Sequence, residues 1–356
     1  MDDFVEDDVD EAEPDEPVEV EQKDMRGKSP DNPIPIDDAY FLAGPKREKI
    51  PARELIITSR VRLPNEKWVV YPDGKKARAA YMSHSSTTAY AKCHMFYHRK
   101  YMLGQKDVRP AVNLWTGSAF HNVMEFAGQA KIEGRHYTTE EAVRDVKKHM
   151  DGEFAKYDTD SAALIKEGKD PMELKLPARL ETREQVIGLA MGMAEAFLET
   201  EMPKVTPVSV EKRGIYHMEM KSGGTVPYIY FIDLIEQDDN GLRVTDYKTG
   251  RLRTQENLEM DQQLTLYGLA EGIFDVAWYS VKMGTTGGKT PKRAKPPQIL
   301  KLKTKKTIKD QEVLFEDFNY HLESLAAGNF GRTGLQNSQI CGSRLCPFWH
   351  DCLGKK

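Results

Sequence analysis

The chain contains little cysteine and no long apolar run. Only four of its 356 residues are cysteines, and no stretch of about 18 apolar residues, which a membrane-spanning helix needs, occurs. The N-terminus lacks the basic start and apolar core of a secretory signal. A G-x-x-x-x-G-K-[ST] phosphate loop is also missing, which argues against a helicase motor within this sequence. We therefore expect a cytoplasmic protein without membrane association, whose cysteines are better suited to metal binding than to disulfides.

Charge is distributed unevenly along the sequence. Residues 1–24 contain thirteen acids and one base, a net charge of −12, so a total of −5 leaves +7 for the remaining 332 residues. An acidic, proline-containing segment with few bulky apolar residues cannot repay the entropy lost on ordering. Residues 1–38 are therefore predicted to form a disordered acidic tail. The basic body suits a polyanionic partner, although an ordinary solvated surface has the same charge.

Local patterns predict a mixed α/β fold. Helices are predicted at 83–103, from Thr116 or Ser118 to about 134, and at about 138–158, 180–202, 255–271 and 307–326. Ser85, Ser86 or Thr87 is expected to cap the first of these helices. Strands are predicted at 54–63, 67–72, 205–221, 226–237, 241–248, 275–283 and 298–303. The turn signals SGG and DDNG separate three of these strands into a meander.

The segment IYFIDLIEQDDNGLRVTDYKTGR carries two acids and a lysine in an informative pattern. Asp233 lies inside an apolar strand, Asp246 ends the next strand, and Lys248 follows two residues later. Period-two geometry places Asp246 and Lys248 on one face, and a hairpin through DDNG brings Asp233 beside them. Half-buried carboxylates need compensation, which a divalent cation provides. The pattern favours phosphodiester hydrolysis assisted by Mg²⁺ or Mn²⁺, with a surface ion pair as the alternative.

The spacing D-x(12)-D-Y-K after a strand hairpin resembles the active-site core of the PD-(D/E)xK nucleases. It is most similar to the RecB-like exonucleases, including the CRISPR-associated RecB-like nucleases that contain an iron–sulfur cluster. Three flanking motifs resemble that branch in the same order: TGSAFHNVMEF, VSVEKRG and DQQLTLYGLA. The resemblance covers residues 83–353. It implies a restriction-endonuclease-like core, a mixed central sheet flanked by helices, with a helical N-terminal part.

The resemblance also implies a domain organisation and a set of site residues. Residues 39–356 would form the nuclease domain, with a helical insertion at about 130–203 and a C-terminal iron–sulfur clasp. The implied metal-binding residues are His121, Asp233, Asp246 and Tyr247. The implied catalytic residues are Asp233, Asp246, Lys248, Gln263 and Tyr267.

Several of these residues have a second interpretation. A histidine on a helix between Phe120 and Val123 is commonly a packed or surface residue rather than a ligand. Glu125 shares the helix face of His121 and either supports the site or is solvated. Glu211 is interpreted as a solvated acid at a strand edge, with a supporting role at the site as the alternative. Gln263 and Tyr267 share a helical face, so ordinary helix packing remains open for both.

One position departs from the branch, which commonly has glycine three residues before the first acid. Here that residue is Tyr230. A bulkier side chain there is expected to narrow the approach of the DNA backbone or to move the strand slightly. No expected ligand is lost by the change.

The four cysteines form one distant and one clustered group. Cys341-x4-Cys346-x5-Cys352 lies near the C-terminus and Cys93 lies far upstream, without the two close pairs of a zinc ribbon. One distant and three clustered thiolates suit a [4Fe–4S] cluster, which takes four thiolates, and the resemblance implies the same. A structural Zn²⁺ on the same thiolates is the alternative. A cluster would join the C-terminus to the helix that contains Cys93.

Two segments are candidates for DNA contacts. Residues 289–309 contain nine Lys or Arg and no acid, as in a DNA-contacting arm or a solvated face. The segment AYAKCHMFYHRKYM combines bases with aromatic rings that can stack on single-stranded DNA or pack internally. The first hypothesis is an exonuclease acting on DNA ends, with single-stranded DNA as the expected substrate. The second is a non-catalytic DNA-binding or adaptor protein with the same fold. No protein partner is indicated.

Overall fold

The computed structural model describes residues 26–105, 112–168, 174, 176, 180–285, 294–333, 341–342 and 346–353. Within these residues no helix is both long enough and apolar enough to span a membrane. The predicted tail extends over residues 1–38, of which 1–25 lie outside the described part of the chain. Residues 26–38 are packed into the fold instead of extending from it. Ile34 pairs with Val69, and Ile36 is only 4% exposed, because the apolar residues of this segment find a partner strand.

Residues 26–80 form an N-terminal β module. Its strands are β1 (Ile34–Pro35), β2 (Tyr40–Ala43), β3 (Glu48–Pro51), β4 (Ile56–Ile57), β5 (Lys67–Val70) and β6 (Lys76–Ala79), with a 3-10 turn at Ala52–Leu55. One sheet has the order β1-β5-β6-β4, and β2 and β3 form a separate hairpin. The core of this module includes Phe41, Ile50 and Val69 and packs against Ile229 of the second sheet.

A six-stranded mixed sheet forms the centre of the molecule. Its strands are β7 (Met82–Ser83), β8 (Pro207–Glu219), β9 (Thr225–Asp238), β10 (Gly241–Thr249), β11 (Asp275–Lys282) and β12 (Gln298–Lys305). The order is β12-β11-β10-β9-β7, and β8 also pairs with β9. The pairs β10–β11 and β7–β9 are parallel, and the others are antiparallel. The predicted meander of β8, β9 and β10 is confirmed.

Helices cover both faces of this sheet. They are α1 (His84–Lys92), α2 (His94–Tyr97), α3 (Val112–Ile132), α4 (Thr139–Lys166), α5 (Arg183–Thr200), α6 (Gln255–Glu259), α7 (Gln262–Glu271), α8 (Ile308–Ala326) and α9 (Trp349–Leu353), with a π-helical turn at His98–Met102 and a 3-10 turn at Met202–Lys204. One core lies among α3, α4, α5 and the sheet. Two further clusters lie where α1, α7 and α8 cover the other face. The structure therefore confirms a mixed central sheet flanked by helices. The two helices α4 and α5 occupy the segment where a helical insertion is expected.

Capping residues explain where several helices begin. Thr138, Thr182 and Thr307 each accept an N–H three residues on, and the residue there caps in return. The first predicted helix is capped by Ser83 rather than by Ser85, Ser86 or Thr87. It is also interrupted at Cys93, whose backbone is extended. Two helices, not one, span 255–271, because Asp261 accepts the N–H of Leu264 and starts a new helix.

Candidate active site

The two central acids lie where β9 and β10 separate. Their antiparallel pairing ends at Thr245 opposite Leu234, so Asp233 and Asp246 occupy the next positions. There the Asp233 side chain replaces a main-chain carbonyl as hydrogen-bond acceptor, since its Oδ2 accepts the N–H of Tyr247 at 2.7 Å. The end of regular pairing thus leaves two carboxylates side by side between two interior strands of the helix-covered sheet.

The strands are irregular at this point. Ile232 and Ile235 contribute to the same core cluster, although strict alternation would place them on opposite faces, so the alternation shifts near Asp233. On β8, Glu211 has a φ of +44°, in the left-handed region that a non-glycine residue rarely adopts. Strain of this kind is concentrated at functional sites, where surrounding structure holds it in place. Both irregularities bring acidic side chains toward helix α3.

Helix α3 supplies the histidine of the site. Ligand atoms of His121, Glu211 and Asp233 all lie within 4.8 Å of one another, and His121 Nδ1 is 3.4 Å from Asp233 Oδ2. The helix can approach the sheet because Gly117 faces Thr249: a Cβ at Gly117 would lie 2.7 Å from the Thr249 Oγ1. His121 follows Gly117 by about one helical turn and therefore faces the acids.

The three groups of this cluster perturb one another electrostatically. Burial disfavours a charged His121, but Asp233 and the neighbouring carboxylates outweigh it and raise the pKa of His121 to about 9. Burial is likewise outweighed at Asp233, where His121 and the N–H of Tyr247 hold the pKa below its usual value. Burial and the Asp233 charge raise the pKa of Glu211 to about 7. The acids therefore favour a positive charge between them.

Asp246 and Lys248 extend the cluster inward. Asp246 is 3% exposed, and its Oδ2 lies 2.8 Å from Lys248 Nζ. The Lys248 ammonium is therefore the charged partner of this buried oxygen. Burial, assisted by Asp233 and opposed by Lys248, raises the pKa of Asp246 to about 7. A buried carboxylate beside a second carboxylate has the character of a cation ligand.

Tyr247 contributes its backbone rather than its ring. The side chain is 4% exposed and packs against Phe120, Phe197 and Tyr279 in the core beneath α3. The main-chain N–H of Tyr247 donates to Asp233, and the ring also meets the His121 ring edge to face at 5.8 Å. A metal contact from this residue therefore has to come from its carbonyl oxygen.

Gln263 and Tyr267 hold the lysine in place. Lys248 Nζ donates to Gln263 Oε1 at 2.7 Å, and Gln263 Nε2 donates to the Tyr267 hydroxyl at 2.6 Å. Burial lowers the tendency of Lys248 to be charged, but Asp246 and Asp261 outweigh it and raise the pKa of Lys248. Gln263 and Tyr267 thus contact the site through their polar groups. The alternative interpretation, ordinary helix packing with an exposed amide, does not account for these contacts.

Tyr230 is accommodated by a glycine on the neighbouring strand. It lies opposite Gly214, and a Cβ at Gly214 would be 2.1 Å from the Tyr230 ring and hydroxyl. The tyrosine is 6% exposed and donates from its hydroxyl to Glu271 Oε1 at 2.9 Å. The strand remains in register with β8 at this position. The tip of the ring therefore lies over Gly214 without a change of register.

A cleft of about 1140 Å³ opens over the cluster. Its lining includes His121, Glu211 and Asp233, and it also includes three exposed cations that sequence analysis missed: Lys46, Arg251 and Lys282. Arg251 and Lys282 follow or end strands of the sheet, so their positions beside the motif residues are the signal that could have identified them. Lys46 has no such signal because it comes from a distant segment.

The cysteines lie near one another around the start of α2. Burial raises the pKa of Cys341 and Cys346, and in both cases the nearby thiols of Cys93 and Cys352 raise it further. The C-terminal segment also contacts this region through the Phe96 and Phe348 rings, whose centroids are 5.5 Å apart. The structure therefore brings the distant cysteine to the clustered ones.

Both candidate DNA-contacting segments are partly structural. Residues 289–293 lie outside the described part of the chain. Within the remainder, Lys301 pairs with buried Glu236 at 2.8 Å, and Lys306 is 4% exposed and donates to the carbonyls of Leu258 and Glu259. In the aromatic segment, Tyr90 and Tyr97 are buried and pack internally. These side chains are therefore not available to DNA.

The comparison with known proteins identifies the family. No curated protein sequence matches this chain. The family model of the PD-(D/E)XK nuclease superfamily matches residues 81–353. The matched region contains all the strands of the central sheet, the acidic cluster and the four cysteines. The chain therefore belongs to the PD-(D/E)XK nuclease superfamily.

Proposed function

We propose that this chain is a metal-dependent deoxyribonuclease that hydrolyses phosphodiester bonds at DNA ends. The observation that carries the proposal is the acidic cluster: His121, Glu211 and Asp233 have ligand atoms within 4.8 Å of one another, beside the ion pair of buried Asp246 and Lys248. The cluster lines a cleft large enough to admit a nucleotide chain. Because the chain belongs to a nuclease superfamily, phosphodiester hydrolysis is the reaction that this arrangement suits.

The donor set fits Mg²⁺ or Mn²⁺. Both cations prefer carboxylate and carbonyl oxygens, and imidazole is an acceptable additional ligand. The residues that would hold such an ion are Asp233, Asp246, His121, Glu211 and the carbonyl of Tyr247. The burial of Asp246 beside Asp233 supports this assignment, because a divalent cation compensates neighbouring buried carboxylates. When bound, the cation would polarise the phosphate and lower the pKa of a nearby water.

The remaining side chains position charge for phosphodiester hydrolysis. Lys248 presents a half-buried ammonium group beside the acids, where it can stabilise negative charge on the scissile phosphate. Gln263 fixes the ammonium by accepting one of its hydrogens, and Tyr267 fixes the amide of Gln263. A side chain held in this way loses little freedom when the substrate binds.

The finer assignments rest on the RecB-like motif order. We propose single-stranded DNA with a free end as the substrate, and a cytoplasmic role in phage or prokaryotic replication, recombination or repair. An exonuclease requires an end, so linear single-stranded DNA should be degraded with Mg²⁺ or Mn²⁺ while a circular single strand of the same sequence persists. Equal loss of the circle would refute the end requirement. Persistence of both substrates would favour the non-catalytic DNA-binding alternative.

We also propose that the four cysteines bind a [4Fe–4S] cluster. A tetrahedral zinc site with Zn–S bonds of about 2.3 Å requires sulfur atoms only about 3.8 Å apart. Among the described residues no three thiols approach one another within 4.8 Å, which suits the larger iron–sulfur core better. Such a cluster would join α2 to the C-terminal segment and would be structural, because hydrolysis needs no redox step.

A further inference from the structure

The N-terminal β module forms part of the active-site cleft although it precedes the matched family region. The match begins at residue 81, whereas the cleft lining includes Leu42, Ala43, Gly44, Pro45 and Lys46 from the β2–β3 hairpin. Nothing in the nuclease motifs accounts for this hairpin. The hairpin is therefore a candidate contact for a substrate bound in the cleft.

The hairpin is attached to the site at two points. At the first, Gly44 has a φ of +76° and lies against the Phe231 ring, where a Cβ would approach to 2.3 Å. Phe231 precedes Asp233 by two residues on β9. At the second point, Lys46 forms an ion pair with Glu125 of α3. Glu125 lies one helical turn after His121, so the two attachments flank the acidic cluster.

Lys46 remains accessible in this position. Its side chain is 50% exposed, whereas that of Glu125 is 17% exposed. An ion pair with so much solvent contact contributes little to stability, about 0–1 kcal/mol, so its exchange for another anion costs little. Lys46 also lines the same cleft as Glu211 and Asp233 of the cluster. A polyanion that reaches the cluster therefore comes within reach of this ammonium group.

We propose that the N-terminal β module is a substrate-binding wall of the nuclease and that Lys46 binds a phosphate next to the scissile one. The inference rests on the proposed nuclease function and extends it to a specific strand contact. On binding, the phosphate replaces Glu125 as the partner of the Lys46 ammonium group. Lys46 thus contributes affinity and register along the strand, without reading bases.

Salt dependence of binding tests this contact directly. Each phosphate neutralised on a single strand adds about 0.7 to the slope of log K against log salt. In an Asp246→Asn background, which prevents degradation, Lys46→Ala should reduce the slope for a single-stranded oligonucleotide by about 0.7. Lys49→Ala is the matched control, because Lys49 lies on the same hairpin over the Tyr40 ring and should leave the slope unchanged.

A purely structural role for Lys46 makes different predictions. If Lys46 only neutralised Glu125, then Glu125→Gln should restore the affinity of Lys46→Ala, and the salt slope of Lys46→Ala should equal that of the parent. Either result would overturn the proposal. Hydrolysis by the otherwise unmodified chain keeps the two proposals distinct: active hydrolysis together with an unchanged salt slope in Lys46→Ala refutes the Lys46 contact alone. Inactive protein with the expected slope change refutes the nuclease proposal alone.

Discussion

The packing of Tyr230 over Gly214 makes a quantitative prediction. An alanine at Gly214 would place its Cβ 2.1 Å from the Tyr230 ring, whereas carbon atoms pack best at about 3.5–4.0 Å. The ring would have to move by more than about 1 Å. Its movement is restricted by Tyr267, whose ring centroid is 5.7 Å away, and by the hydrogen bond to Glu271.

Gly214→Ala should therefore destabilise the fold by about 1–3 kcal/mol, the usual cost of overpacking a core. Tyr230→Ala alone should cost about 3–5 kcal/mol, since it removes a large buried side chain. In the Tyr230→Ala background, however, Gly214→Ala should be neutral or stabilising, because the obstacle is gone and alanine orders at less entropic cost than glycine. The two substitutions are thus expected to be strongly non-additive.

Urea denaturation followed by circular dichroism measures this coupling as a double-mutant cycle of the four proteins. The control is Gly223→Ala, at a glycine whose added Cβ meets no atom within 4 Å but whose φ is +90°, so its cost should be the same in both backgrounds. If Gly214→Ala had the same cost with and without Tyr230, the proposed complementarity of these residues would be wrong.

Three further predictions follow from other contacts. Gln263→Ala leaves Lys248 without its acceptor, so turnover should fall about 10–100-fold with little change in DNA affinity, whereas a fall in affinity alone would contradict the positioning role. Cys93→Ser should remove both bound iron and visible absorbance and should increase protease cleavage near the C-terminus; stoichiometric zinc in the parent protein would refute the cluster. Burial, opposed by Asp261 and assisted by Lys248 and Lys92, lowers the pKa of His84 from 6.5 to about 4, so the fold favours the neutral ring. The contribution of His84 to stability should therefore be complete above pH 6.5 and decrease as the pH falls toward 4, and His84→Gln should show a smaller decrease in urea midpoint over that range.

The sequence predicts the proximity of Asp233, Asp246 and Lys248 because the signals for their positions are local. Period-two alternation and a short turn place Asp246, Lys248 and Asp233 together without knowledge of the rest of the fold. Helical spacing similarly places Gln263 and Tyr267 on one face. The order of motifs then indicated His121, whose own local pattern is equally typical of a packed histidine.

Residues that depend on distant or strained geometry could not be predicted in this way. The sequence predicts Glu211 to be a solvated acid, because nothing in VSVEKRG reveals its positive φ. This backbone conformation directs the Glu211 side chain toward the acidic cluster. The packing of Tyr230 over Gly214 depends on the register between β8 and β9. Lys46 reaches the site only through the packing of a separate β module, so no spacing in the motif region identifies it.

The central claim is that the acidic cluster binds the divalent cation that phosphodiester hydrolysis requires. Its most direct test is degradation of end-labelled single-stranded DNA in Mn²⁺ by the parent chain, by Asp246→Asn and by Asp239→Asn, an exposed acid of the same hairpin. Asp246→Asn should lose more than about 100-fold in rate, since even residues that only support metal ligands contribute 10–100-fold. It should still bind DNA, and Asp239→Asn should match the parent. Parental activity in Asp246→Asn would contradict the account.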